Sequence, residues 1–150
     1  MNKIKKYVPS LVFIILVAIL GSLFTYSGMN WFDSLNKPKE WLPVIVIPIM
    51  WTIIYTLFYI YTIKVEYFKN SKLTNLLMIN GVLNVLWCLM YFAINTLLGG
   101  LIVIILNLIA GILLLVEIAK ENKLFCYLLM VYPLWLSIAT TLNLATWILN

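Results

Sequence analysis

Uncharged residues occupy four long stretches of this sequence, and the charged residues fall between them. No Asp, Glu, Lys or Arg occurs in residues 7–32, 41–63, 73–116 or 124–150. A helix needs about 20 apolar residues to cross a hydrocarbon core of roughly 30 Å. Three of the stretches therefore predict one transmembrane helix each. The stretch over 73–116 predicts two, with Asn95 to Gly100 (Asn-Thr-Leu-Leu-Gly-Gly) as the hairpin between them.

The predicted structure is an all-α membrane protein, a five-helix bundle forming one domain over residues 1–150. A membrane β-barrel would alternate apolar and polar residues, whereas these apolar runs are continuous. Short connections predict that consecutive helices pack as antiparallel neighbours. The first span resembles a secretory signal, but its apolar part is too long and no A-x-A site follows, so we expect it to be retained. The predicted spans are residues 8–27, 44–63, 74–94, 101–118 and 125–148.

Composition and charge agree with a membrane protein. Hydrophobic residues make up 65% of the sequence and charged residues 10%, against about 45–50% and 25% in soluble domains. Most lysines fall on one side of the predicted bundle, which places the N-terminus in the cytoplasm and the C-terminus outside a bacterial cell membrane. The net charge of +5 reflects this topology. The sequence lacks a basic patch interleaved with aromatic residues, so a nucleic-acid partner is not predicted. The lysines assigned inside are Lys3, Lys5, Lys6, Lys64, Lys69, Lys72, Lys120 and Lys123, and those outside are Lys37 and Lys39.

Several kinds of chemistry are excluded by the residues that are missing. The predicted spans carry no charge at mid-membrane, so an ion or proton pathway of the usual type is not encoded. The sequence has no His, and no metal site or acid–base catalytic motif is present. Cys88 and Cys126 are expected at depths of roughly 22 and 4 Å from the cytoplasmic face, too far apart for a disulfide.

Uncharged polar and aromatic residues recur at helical spacing on three spans. At the helical rise, Trp51, Asn84 and Trp135 lie roughly 10 to 14 Å below the outer face, and Ala139 leaves space beside them. Apolar walls with a few fixed polar groups are typical of a site for a flat hydrophobic ligand. A filled core of interhelical hydrogen bonds and aromatic packing explains the same residues, and both interpretations stay open. The stripes are Pro48, Trp51, Tyr55, Phe58, Tyr59 and Thr62; Asn80, Asn84, Trp87, Cys88, Tyr91 and Asn95; and Tyr132, Trp135, Ala139, Asn143 and Thr146.

The predicted outer loop, residues 28–43, is rich in aromatics. Trp31, Phe32 and Leu35 would share one face of a short helix, followed by Pro38. The loop is either an interfacial anchor or a lid over the bundle.

The first and fourth spans are interpreted as structural. Ala18, Gly21, Ser22 and Thr25 form a small-residue face suited to close packing. Asn107 and Gly111 serve either internal packing or a dimer contact.

The sequence resembles the TspO/MBR family, the tryptophan-rich sensory and translocator proteins also known as peripheral-type benzodiazepine receptors. The resemblance covers nearly the whole chain and rests on motifs that fall in order along it. These are Trp31-Phe32-x-x-Leu35-x-Lys37-Pro38, Trp51-Thr52-x-x-Tyr55, Asn84-x-x-Trp87 and Tyr132-x-x-Trp135-x-x-x-Ala139-Thr140-x-Leu142-Asn143. One departure is that Trp41 lies one position later than the family's Lys-Pro-x-Trp pattern places it.

The resemblance implies a homodimer whose cavity opens outward beneath the first loop. It implies a receptor or sensor that binds porphyrins (protoporphyrin IX, haem) and other flat hydrophobic molecules, with no obligatory cofactor. Two alternatives are a light- and oxygen-dependent enzyme that degrades porphyrin, with Trp51 and Trp135 as its catalytic residues, and a transporter of apolar metabolites such as tetrapyrroles or sterols. The implied ligand-binding residues are Trp51, Tyr55, Asn84, Trp87, Cys88, Trp135, Ala139 and Leu142, and the implied lid residues are Trp31, Phe32, Leu35, Pro38 and Trp41.

Overall fold

The computed structural model describes residues 4–39, 43, 45–64 and 70–150, with side chains from Val8 onward. Within these ranges the chain is helical and contains no strand. Five stretches are long and apolar enough to cross a membrane: Val8–Ser27, Val46–Lys64, Ser71–Ala93, Leu97–Glu121 and Lys123–Leu149. The predicted fold class is therefore confirmed. The helices are α1 (Ile4–Ser27), α2 (Met29–Ser34), α3 (Val46–Lys64), α4 (Ser71–Cys88) with a π-helical segment over Leu89–Ala93, α5 (Leu97–Glu121), α6 (Lys123–Leu129) and α7 (Val131–Leu149).

The long helices form a closed ring around the core. In order around the ring they are α1, α3, the α6–α7 unit, α5 and α4, and α4 packs against α1. Large aliphatic side chains on the outer surface of the ring, above all on α1 and α5, are exposed, as suits a bundle whose solvent is lipid. We call the end of the ring where α2 follows Ser27 the lid end. The opposite end, which carries Lys64, Lys72 and Lys120, is the lysine-rich end.

One packing prediction is wrong. Consecutive spans were expected to be neighbours, but the backbones of α3 and α4 make no close approach along their described residues. Each instead packs against α1. The two helices lie across the ring from each other, and they form opposite walls of a cavity.

Two connections are shorter than the sequence indicated. The predicted fourth span began at residue 101, whereas α5 begins at Leu97, because the Thr96 hydroxyl accepts a hydrogen bond from the Gly99 backbone N–H at 3.2 Å. The hairpin is reduced to the residues around Asn95, which has a positive φ of 59°. The predicted loop over 119–124 is reduced to Asn122, whose side chain caps α6 through the Phe125 backbone N–H at 3.2 Å.

Two helices are locally irregular. The break between α6 and α7 comes at Met130, just before Pro133, which has no backbone N–H for the Leu129 carbonyl. The π-helical segment at the end of α4 includes a hydrogen bond from the Ile94 N–H to the Leu89 carbonyl at 2.9 Å. Single widened turns of this kind occur mostly within α-helices and often at functional sites, and Tyr91 and Phe92 within this one are buried.

The lysine-rich end is tied together by polar contacts. Glu117 pairs with Lys72 at 2.6 Å and with Lys120 at 2.7 Å, which joins the start of α4 to the end of α5. Cys88 and Cys126 are both free thiols, as predicted.

Candidate functional site

A cavity of about 440 Å³ lies between α1, α3, α4 and α7, toward the lid end of the bundle. This volume falls within the roughly 300–1,000 Å³ of small-molecule sites. No described residue that lines it is charged. The walls are mainly aromatic and aliphatic, and their polar groups include the amides of Asn84 and Asn143, the Cys88 thiol and several hydroxyl groups.

The structure brings together all eight residues that the sequence singled out as ligand-binding. Each lines this cavity, and together they occupy three of its walls. Trp51 and Tyr55 come from α3, Asn84, Trp87 and Cys88 from α4, and Trp135, Ala139 and Leu142 from α7.

The aromatic walls are held in fixed orientations. Trp51 stacks on Tyr55 with ring centroids 5.4 Å apart, and Trp87 stacks on Tyr91 at 5.8 Å. The Trp87 indole N–H also donates to Asn143 Oδ1 at 3.2 Å, a contact between α4 and α7. Rings fixed in this way present flat π-faces to a ligand without first losing side-chain freedom.

A polar network closes the side of the cavity around Asn84. Tyr132 is only 2% exposed, and its hydroxyl accepts a hydrogen bond from Asn84 Nδ2 at 3.1 Å. It lies 3.1 Å from the Oδ1 atoms of both Asn80 and Asn107, which share its single proton. Asn107 Nδ2 in turn donates to Asn84 Oδ1 at 2.7 Å. These four side chains join α4, α5 and α7 and fix the Asn84 amide at the cavity wall.

The sequence left open whether Asn107 and Gly111 serve internal packing or a dimer contact. Asn107 is 1% exposed, and Gly111 packs so closely that an added Cβ would lie 3.1 Å from the Tyr132 ring. Both residues therefore serve internal packing and do not form a dimer contact.

The lid residues separate into two groups. Phe32, 3% exposed, lines the cavity and packs with Tyr91 and Phe92. Trp31 and Leu35 pack on the same cluster but do not line the cavity, and neither does Pro38. The predicted short helix is present as α2, although Leu35 lies one residue beyond it. Trp41 lies outside the described residues.

The described part of the lid segment, residues 28–39, makes two contacts with the bundle and one within itself. An added Cβ on Gly28 would lie 2.0 Å from the Phe92 carbonyl oxygen, so glycine permits this close approach to the π-helical segment. Lys37 Nζ donates to the Phe32 carbonyl at 2.7 Å. The Asn150 side chain pairs with the Asn36 backbone in both directions, at 3.0 and 2.9 Å.

One wall of the cavity, on α1, was not predicted from the sequence. Ala18, Gly21, Ser22 and Thr25 were interpreted as a close-packing face, but all four line the cavity together with Tyr26. Small side chains permit both close packing and empty space, and the sequence does not distinguish the two. These four residues therefore lie both on a helix-packing face and on a cavity wall, and only the first of these roles was predicted.

Comparisons with known proteins agree with this architecture. The TspO/MBR family profile matches residues 10–148. The tryptophan-rich protein TspO of Archaeoglobus fulgidus is 30% identical, over 98% of this chain and 98% of the relative. An uncharacterized membrane protein of Bacillus subtilis, YtaB, is 34% identical over 93% of this chain and 94% of its own length. The protein CrtK of Rhodobacter capsulatus is 27% identical over 87% of this chain and 83% of its own. This integral membrane protein, with its tryptophan-walled cavity, belongs to the TspO/MBR family.

Proposed function

We propose that the protein is a membrane receptor that binds porphyrins, such as protoporphyrin IX, or other flat hydrophobic molecules in the cavity between α1, α3, α4 and α7. The observation that carries the proposal is the uncharged cavity of about 440 Å³, with Trp51, Trp87 and Trp135 in its walls. A tetrapyrrole has two large π-faces, and ordered indoles provide matching surfaces for offset stacking.

The polar groups of the cavity suit a ligand with a few hydrogen-bonding atoms on an apolar frame. Asn84 is held by Tyr132 and Asn107, and its wall position would fix the orientation of such a ligand. Because His is absent from the sequence, the usual axial ligand of haem is missing. The cavity therefore favours recognition of the ring itself over recognition through a central metal.

Affinity for protoporphyrin IX tests the proposal. Aromatic stacking contributes about 0.5–1.5 kcal/mol per pair beyond burial, so losing two indoles costs about 1–3 kcal/mol, or roughly 5- to 150-fold in Kd. The double variant Trp51→Leu with Trp135→Leu should weaken binding by this factor, measured from the porphyrin's own absorption in lipid nanodiscs. Trp147→Leu, an exposed tryptophan off the cavity, is the matched control. A Kd that is the same in the double variant and the control would refute the assignment.

A second candidate activity is light- and oxygen-dependent porphyrin degradation. Trp51 and Trp135 both line the cavity, so two oxidisable indoles would contact a bound ring. The double variant Trp51→Phe with Trp135→Phe keeps aromatic faces but removes the indoles. Under illumination in air, the wild type should convert bound porphyrin to a new absorbing species faster than this variant at equal occupancy. Equal rates would leave binding as the function.

The proposal also covers the orientation of the chain in the membrane and its oligomeric state. The lysine pattern favours a lid end outside the membrane and a lysine-rich end in the cytoplasm, and family resemblance favours a homodimer. Protease accessibility of tags at either end of the chain tests the orientation, and cross-linking in native membranes tests the dimer. A tag at the N-terminus that is cut from outside, or a chain that stays monomeric at all cross-linker concentrations, would contradict these parts.

A further inference from the structure

The residues that line the cavity differ sharply in exposure according to the helix that carries them. Those on α4, its π-helical segment and α7 are all buried or half-buried. The exposed lining residues are confined to α1 and α3, among the part of the chain that the structure describes. They are Ser22 and Tyr26 on α1, and Pro48 and Thr52 on α3.

These four residues flank the boundary between two neighbouring helices. On each helix the two positions are one turn apart, and α1 and α3 are neighbours in the ring. Counted at the helical rise, Ser22 lies roughly 8 Å and Thr52 roughly 9 Å from the lid end of their helices. Tyr26 and Pro48 lie one turn closer to that end. The four side chains therefore frame one gap between α1 and α3, which we call the portal.

Below the portal, the space between the two helices narrows to a small cavity of about 30 Å³. Ile14 of α1 belongs to the same buried core cluster as Ile54 and Phe58 of α3. Toward the lid end, small side chains at Ala18, Gly21 and Ser22 leave space that no bulky residue of α1 fills. The gap thus lies above this narrow region, and its four framing residues are exposed at the outer surface of the ring, where lipid lies.

We propose that the ligand passes between the cavity and the lipid through this portal between α1 and α3. The inference rests on the proposed function, because it concerns how a membrane-dissolved, flat apolar ligand reaches that cavity. The lateral direction suits such a ligand, since it never has to leave the hydrocarbon region for water. The portal bears hydroxyl groups at Ser22, Tyr26 and Thr52, so it also passes ligands that carry a few polar substituents.

The lid segment is the competing route, and its described part is fastened. Gly28 is packed against Phe92, and Asn36 is paired with Asn150. Passage at this end requires these contacts to break, whereas the portal is already open to the surface of the ring.

Binding kinetics distinguish the two routes. Protoporphyrin IX is added to nanodiscs and followed by stopped-flow fluorescence, and its release is followed after transfer to empty nanodiscs. A barrier acts on both directions of passage, so Ser22→Phe with Thr52→Phe should slow association and release together, by at least about tenfold. Tyr26→Ala, at an 83% exposed position, widens the portal and should speed both. The control is Leu16→Phe with Ile53→Phe, which places phenyl rings on the same two helices at exposed positions off the cavity.

Each result has a distinct meaning. Rates for the narrowed and widened variants that match those of the control would overturn the portal while leaving the binding proposal intact. Faster porphyrin association in Asn150→Ala, combined with unchanged rates in the portal variants, would also overturn the portal. That result would assign ligand passage to the lid end. Absence of saturable porphyrin binding by the wild type would remove the proposed function and the portal together.

Discussion

Replacing Tyr132 by Phe removes one oxygen atom from the centre of the buried polar network. The Tyr132 ring contacts Phe58, with centroids 5.1 Å apart, and Trp51, at 6.5 Å, and phenylalanine keeps both contacts. The hydroxyl accepts one hydrogen bond from Asn84 and donates one that Asn80 and Asn107 share. The substitution therefore changes hydrogen bonding while leaving the apolar packing almost unaltered.

The magnitude follows from the groups left without partners. Hydrogen bonds inside membrane proteins contribute about 0.6 kcal/mol on average and up to about 1.7. A buried polar group left unpaired costs about 1–3 kcal/mol. Loss of one accepted and one donated bond should therefore lower the free energy of unfolding by about 1–3 kcal/mol. It should also weaken ligand binding, because Asn84 is no longer held at the cavity wall.

Unfolding in mixed detergent micelles, followed by tryptophan fluorescence, measures this loss. Tyr127→Phe removes the same hydroxyl from a tyrosine of α6 that is 70% exposed, and it is the matched control. A Tyr132→Phe protein as stable as Tyr127→Phe would refute the claim that the network fastens α4, α5 and α7.

Two further predictions concern the lid segment. Gly28→Ala should destabilise the fold by about 1–3 kcal/mol through overpacking, since its Cβ would overlap the Phe92 carbonyl. Gly21→Ala is the control and should not destabilise the fold, because its Cβ would lie 3.5 Å from Cys88 Sγ. Equal stability of the two variants would contradict the close approach of Gly28 to Phe92. Asn150→Ala removes both bonds to the Asn36 backbone, so hydrogen exchange at the Asn36 amide should quicken while the Asn84 region stays protected, and unchanged exchange would show that the pairing does not hold the lid.

The helical spans were predictable because lipid imposes one requirement on the sequence. A segment that crosses the hydrocarbon must satisfy its backbone internally and carry apolar side chains, so charge-free runs mark the spans directly. The end of the second span near Lys64 follows from this alone. The start of α5 could not be predicted in this way. Gly99 and Gly100 indicate a turn in isolation, whereas here they pack against Thr96 and Tyr91 within a helix.

The candidate site was predictable in part. Periodicity placed Trp51, Asn84 and Trp135 on inward faces at similar depth, and the structure gathers them around one cavity. The empty volume itself was not predictable, since it depends on how α3 and α4 are held apart. Nor was the π-helical segment, because a widened turn depends on tertiary contacts such as that between Gly28 and Phe92.

Filling the cavity from within tests the central claim most directly. Ala139 of α7 lines the cavity, and an indole at this position would occupy the space that a ligand needs. In nanodiscs, Ala139→Trp should stay folded and weaken protoporphyrin IX binding by at least about tenfold, a loss of 1.4 kcal/mol or more. Ile138→Trp adds the same side chain at the neighbouring, lipid-facing position and should bind as the wild type does. Wild-type affinity in a folded Ala139→Trp protein would contradict a ligand site between α3, α4 and α7.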